Sequence, residues 1–243
     1  MNLLRHASTL KHKIDAKILK QRGTFLSRTP KEAKDIFGLQ FDKPDTMKNL
    51  ELGDSKLDKL SVPSQGFLVG VFSKYASTFP EGQSIGKTFD SFQGNESNMK
   101  SQIEFYLRSV VMAGYESGVY ISSDEPFVTM DGKYKGNHDL VVSNKDLPTI
   151  VCRYAKEVEG KKYHPIELAQ SGIVFEIYEQ YWKNPQRDIY GCVSDLNNWI
   201  FFKYDGNQFF RNHRVFKLAL HNTAIVSLGI KILNILDAKP LIY

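Results

Sequence analysis

The strongest constraint on this 243-residue chain is the order of its apolar segments between residues 96 and 204. Met99 to Tyr115 carries Ile103, Leu107, Val110, Val111 and Gly114 at helical spacing, after a polar start at Glu96 to Asn98. Val119 to Ile121 and Pro126 to Met130 read as short strands, followed by an Asp131-Gly132 turn. His138 to Val142 (HDLVV) and Pro148 to Ala155 (PTIVCRYA) read as two more strands. Pro165 opens a helix to about Trp182, with Ile166, Ala169, Ile173, Val174, Ile177 and Tyr181 on one stripe. Ile189 to Val193 and Trp199 to Tyr204 are strands around a polar turn, Ser194 to Asn198. The order α-β-β-β-α-β-β predicts an α/β fold, a mixed central sheet flanked by helices.

The flanking regions are less patterned. Gly66 to Tyr75 (GFLVGVFSKY) is a short apolar run and predicts a strand. Thr78 to Asn98 reads as loop, and Val215 to Leu236 as mostly helical, broken near Gly229. The reading gives three parts: a basic amphipathic helix or targeting segment at 1–22, a linker region at 23–65, and an α/β domain with a C-terminal helical extension at 66–243.

Charge is concentrated at one end. Arg5, Lys11, Lys13, Lys17, Lys20 and Arg22 face one acid, Asp15, in the first 22 residues. This accounts for the whole net charge of +5; the remainder carries 26 residues of each sign. Phosphate binding usually shows as a basic face on the domain itself, and a balanced body argues against a dedicated one. Leu3, Ala7, Leu10, Ile14 and Ile18 recur at steps of three and four, making the first segment a basic amphipathic helix. It has three readings: a mitochondrial import sequence, an arm for a membrane surface or nucleic acid, or an ordinary surface helix. No apolar run reaches the roughly 18 residues of a transmembrane segment. Cys152 and Cys192 are too few for a disulfide framework, so an intracellular setting is expected. His138 and His164 lack partners at zinc-ligand spacing. GQSIGKT at 82–88 is one residue short of a phosphate-binding loop, so no nucleotide cofactor is expected.

Asp139 lies on one short strand and Lys156 ends the next. An acid on one strand, with an acid and a lysine two residues apart on its neighbour, makes a metal-dependent phosphodiesterase site. Side chains alternate along a strand, so Cys152, Tyr154 and Lys156 point one way, and Val151, Arg153 and Ala155 the other.

HDLVV, IVCRYAK, the helix ELAQSGIVFEIYEQYW and then IYGCVSDLNNWIFFKY resemble the core of the PD-(D/E)XK nuclease-like superfamily. The eukaryotic Crinkler-type branch is the most similar, on Gln170, Tyr190-Gly191, Asp195 to Asn198, and Trp199. The resemblance covers about residues 96–205. It implies a restriction-endonuclease-like core and Mg²⁺- or Mn²⁺-dependent hydrolysis of nucleic acid. Asp139 would bind the metal and Lys156 would position the water. Glu104 or Glu167 would supply the second metal-binding carboxylate, and Gln170 would support the site. The sequence departs from the family where Glu or Asp stands two residues before the lysine. That position is Tyr154, a neutral phenol at pH 7 and a poor Mg²⁺ ligand. Either Glu104 or Glu167 completes the site, or the site has decayed and activity is reduced or lost. In the second case the chain is a non-catalytic module for a nucleic-acid or protein partner, or a structural subunit of a larger, organellar assembly.

Overall fold

A computed structural model of the chain describes residues 28–43, 46–52, 62–77, 96–114, 118–128, 135–144, 147–155, 163–183, 185, 188–196, 198–212, 216–217 and 222–236. The N-terminal basic segment, the 82–88 loop, the Asp131-Gly132 turn and Lys156 lie outside the described residues. The helices are α1 (Pro30–Phe37), α2 (Val62–Ser77), α3 (Glu96–Gly114), α4 (Pro165–Lys183) and α5 (Asn222–Leu236). The strands are β1 (Lys48–Asn49), β2 (Val119–Val128), β3 (Lys135–Asn144), β4 (Leu147–Tyr154), β5 (Tyr190–Ser194), β6 (Asn198–Tyr204), β7 (Phe209–Arg211) and β8 (Phe216–Lys217).

The strands form one mixed sheet, ordered β1-β7-β6-β5-β4-β3-β2, with β8 also paired to β6. β2, β3 and β4 run as an antiparallel meander. The chain then crosses through α4 and returns as β5, parallel to β4, and β6 turns back antiparallel. Parallel neighbours require such a crossover, and the 19-residue α4 supplies it. With the 119–121 and 126–130 readings merged into one strand, the α/β order expected from 96 to 204 is the order found.

Alternation on the central strands builds two cores. Leu140, Val142, Ile150, Cys152, Tyr154, Cys192, Trp199 and Phe201 join α2, α3 and α5 on one face. Val151, Ala155, Val193, Ile200 and Phe202 join α4 and α1 on the other. Trp199 is fully buried, packs on Tyr106, and donates its indole N–H to the Leu196 carbonyl. These contacts make it part of the packing. The tight β5–β6 turn holds Leu196 at φ 75°, and Asp195 accepts the Asn198 N–H. A non-glycine residue there is strained, and the burial of Leu196 in the first core offsets the cost.

The structure differs from the sequence expectation at several places, among them the short strands β1, β7 and β8. Residues 66–75 are helix, within α2, and not strand. A short apolar run has no period that separates the two, and here Leu68 is buried where α2 meets α3 and α5. Residues 119–128 form one strand with Asp124 at φ 54° inside it. Pairing with β3 carries it through the polar stretch, and Pro126 is tolerated because β2 ends the sheet order. Gly229 does not break α5; a Cβ there would lie 3.2 Å from Leu68, so the glycine permits close helix packing. The stretch read as linker carries α1, closed by a Thr29/Glu32 capping box and a left-handed Gly38, and its Ala33 and Ile36 join the second core. Among the described residues no helix is long and apolar enough to cross a membrane.

Two glycines test this packing in opposite directions. A Cβ at Gly191 would stand 2.7 Å from Ile173 and 3.0 Å from Ile177, whereas at Gly66 it would meet nothing within 4 Å. Gly191→Ala is expected to destabilise by about 1–3 kcal/mol. Gly66→Ala is expected to stabilise by about 0.5–1 kcal/mol. Urea unfolding of each variant measures both.

Candidate functional site

The site expected from sequence centres on the β3–β4 boundary. The two strands pair from Asn144↔Leu147 up to Leu140↔Cys152, while β3 stays paired with β2 as far as Lys135↔Val128. Beyond Leu140, β3 and β4 therefore form a fork, with Asp139 on one arm and Tyr154 on the other. Continued at the same register, the Tyr154 N–H would face residue 138. It instead donates to Asp139 Oδ2 at 3.3 Å. The buried carboxylate takes the place of a strand carbonyl where the ladder ends.

The structure thus brings Asp139 to Tyr154, the position that the family gives to its second acid. The Tyr154 side chain itself is buried in the first core. The other expected residues stand as follows. Glu104 lies on α3 and accepts from Arg108 Nε at 2.9 Å and from its terminal nitrogen at 2.6 Å. Arg108 in turn donates to the Ile121 carbonyl of β2. Glu167 lies in the first turn of α4, where its carbonyl accepts the Ser171 hydroxyl. Gln170 is buried on α4, and its Oε1 accepts no hydrogen bond. Lys156 lies beyond the described residues. Among the described residues no three His, Cys, Asp or Glu side chains are grouped so as to hold a metal ion. Asp139, Glu104 and Glu167 are therefore not gathered into one cluster.

A second group at the fork was not foreseen. Arg153 of β4 points toward α4 and donates through Nε and a terminal nitrogen to Glu176 Oε1. The other oxygen, Oε2, lies 2.9 Å from His138 Nδ1. His138 Nε2 is 3.0 Å from the Gln180 amide nitrogen. All four residues are buried. Strict alternation from Leu140 and Val142 would put His138 on the face of the first core; its contact with Glu176 marks the departure of β3 from a regular ladder. An ionised carboxylate only accepts, so Nδ1 carries the proton, and Nε2 accepts from the Gln180 amide. Gly172 makes room for this arrangement, since a Cβ there would lie 2.9 Å from Arg153 Nε.

Burial alone pushes the Glu176 carboxyl up, but the Arg153 guanidinium and the His138 imidazole outweigh it, and the pKa lies below the ordinary carboxylate value. The sequence held one signal for the group. Arg153 alternates with apolar residues on a buried strand, and a buried charge needs a partner of opposite sign on the facing element. The cysteines, by contrast, are free and buried, and stand opposite each other on β4 and β5. Burial, and then the neighbouring Cys152, pushes the Cys192 thiol up, which disfavours the reactive thiolate.

The fold and fork define an α/β protein with a mixed sheet and a buried polar fork at its centre. No protein-family model, curated protein or solved structure matches the chain.

Glu176→Ala leaves Arg153 buried without its carboxylate and is expected to cost about 3–5 kcal/mol. The Glu176 carboxyl titrates lower in the folded chain than its unfolded value of about 4.3. Its contribution is full above that pH and is lost as pH falls through the folded pKa. Unfolding free energy measured from pH 7 to pH 3 is expected to fall less steeply in Glu176→Gln than in the unsubstituted chain.

Proposed function

We propose that this chain is a nuclease-like protein of the PD-(D/E)XK type that binds nucleic acid, its metal-dependent cleavage at the β3–β4 fork lost. One observation carries the reading. Tyr154 stands where the family has its second carboxylate, and its side chain is buried in the apolar core. A phenol held there contributes no anionic oxygen to a metal at the fork. Mg²⁺ demands near-ideal octahedral oxygen ligation, with carboxylates as its protein anchors. Among the described residues the fork offers the Asp139 carboxylate, and one of its oxygens already accepts the Tyr154 amide. These donors do not fit the metal that the resemblance implies, so no hydrolytic step is assigned to it.

Two further observations favour the family reading of the fold. The element order α3-β2-β3-β4-α4-β5-β6 is the order on which the resemblance was built. Asp139 lies on β3, the strand that the resemblance assigns to it, at the point where β3 stops pairing with β4. Nucleic acid is the ligand class implied, and the six basic residues of the first 22 supply a charge for its phosphates.

The test is the full chain with labelled DNA and RNA, with Mg²⁺ or Mn²⁺, beside an Asp139→Ala variant. Binding that weakens with added salt, and cleavage no faster than that of Asp139→Ala, is the expected result. Cleavage that Asp139→Ala abolishes would show a live site and overturn the loss. Absence of binding to both nucleic acids would reject the ligand class and leave a protein partner.

A further inference from the structure

The fork is open at the hydrogen-bonding edge between β3 and β4, but it is closed across the α4 side. His138 comes from the β3 arm and Arg153 from the β4 arm, and each is bonded to a different oxygen of the same carboxylate. Each of these residues is the chain neighbour of a residue in the second contact of the fork. His138 precedes Asp139, and Arg153 precedes Tyr154. Holding His138 and Arg153 to one point therefore fixes the spacing of the two backbones at which Asp139 meets the Tyr154 amide. α4 is rigid enough to serve as the anchor, since every residue from Leu168 to Tyr181 is buried. Gln180 holds the far side of the imidazole one turn beyond Glu176, and Gly172 clears the path of the guanidinium one turn before it.

From this geometry we infer that Glu176 is a positioning residue for the fork, joining its two arms so that the Asp139 carboxylate is held against the Tyr154 amide. The inference deepens the functional reading above, because the fork is where that reading places the lost metal site. Glu176 acts through His138 and Arg153 on the shape of the site. β2 holds the β3 arm and β5 holds the β4 arm, but neither pairing spans the gap between the two arms, which the Glu176 carboxylate does.

The experiment is nuclear magnetic resonance of the full, isotope-labelled chain in its folded state, so that global stability does not enter the readout. The measured quantity is the through-hydrogen-bond coupling between the Tyr154 amide nitrogen and the Asp139 carboxyl carbon, with the Tyr154 amide proton shift. Glu176→Gln and His138→Gln are compared with the unsubstituted chain. Should Glu176→Gln not fold, His138→Gln carries the test, since it cuts the β3 tie and leaves the Arg153–Glu176 pair intact. The expected result is loss of the coupling and an upfield move of the Tyr154 amide proton. Couplings across the paired part of β3 and β4, such as Leu140 with Cys152, persist. A coupling retained in a folded variant would overturn the inference, as would loss of the Leu140–Cys152 couplings along with it. A wild-type chain that binds no nucleic acid overturns the functional reading alone and leaves this result standing.

Discussion

The centre of the molecule depends on one buried carboxylate, Glu176, and the two strands it joins. Removing an ion from water costs several kcal/mol, and a mutual attraction repays it only when the geometry is good and the remaining hydrogen-bonding capacity is used. Here both oxygens are engaged, the guanidinium donates twice to one of them, and the imidazole is itself held by Gln180. Such a pair adds less net stability than it would cost to break. What it adds is a defined relation between two strands at the point where they stop pairing with each other.

That relation explains why Asp139 is held where it is. A strand that leaves its neighbour exposes an amide that the ladder would have satisfied, and a buried amide without a partner is costly. The Asp139 side chain reaches across and accepts from Tyr154, so the amide exposed by the split has a partner. A carboxylate used in this way is a ladder cap in structural terms. The same placement, at a fork beside the last residues of β4, is where the family resemblance puts its metal-binding acid. Tyr154 separates the two roles: its side chain is committed to the apolar core and supplies no carboxylate there.

Much of the fold between 96 and 204 was legible because its signals are local. The apolar stripe of α4, the alternation in β4 and β6, and the polar turn at 194–198 each declare themselves within a few residues. The errors fall where the deciding contact is distant. The 66–75 run becomes helix through packing on α3 and α5, and residues 119–128 become one strand through β3. The linker reading missed α1, although Thr29-Pro30 and Glu32 form a capping box that was visible in the sequence. At the site, the pair expected on neighbouring strands is Asp139 and Lys156; Lys156 lies outside the described residues, and Tyr154, read as standing in place of the second acid, is the residue that meets Asp139. The polar group beside them was not legible, because His138 and Glu176 are 38 residues apart and neither belongs to a motif. Only the oddity of Arg153 in an apolar strand pointed to it.

The most direct measurement is the protonation of the His138 ring, read from long-range nitrogen–proton correlations of the imidazole at neutral pH. Bonded to an ionised Glu176, the ring must carry its proton on Nδ1. A ring with Nδ1 bare and the proton on Nε2 would mean that Glu176 does not hold the β3 arm, and the account of the fork would fail.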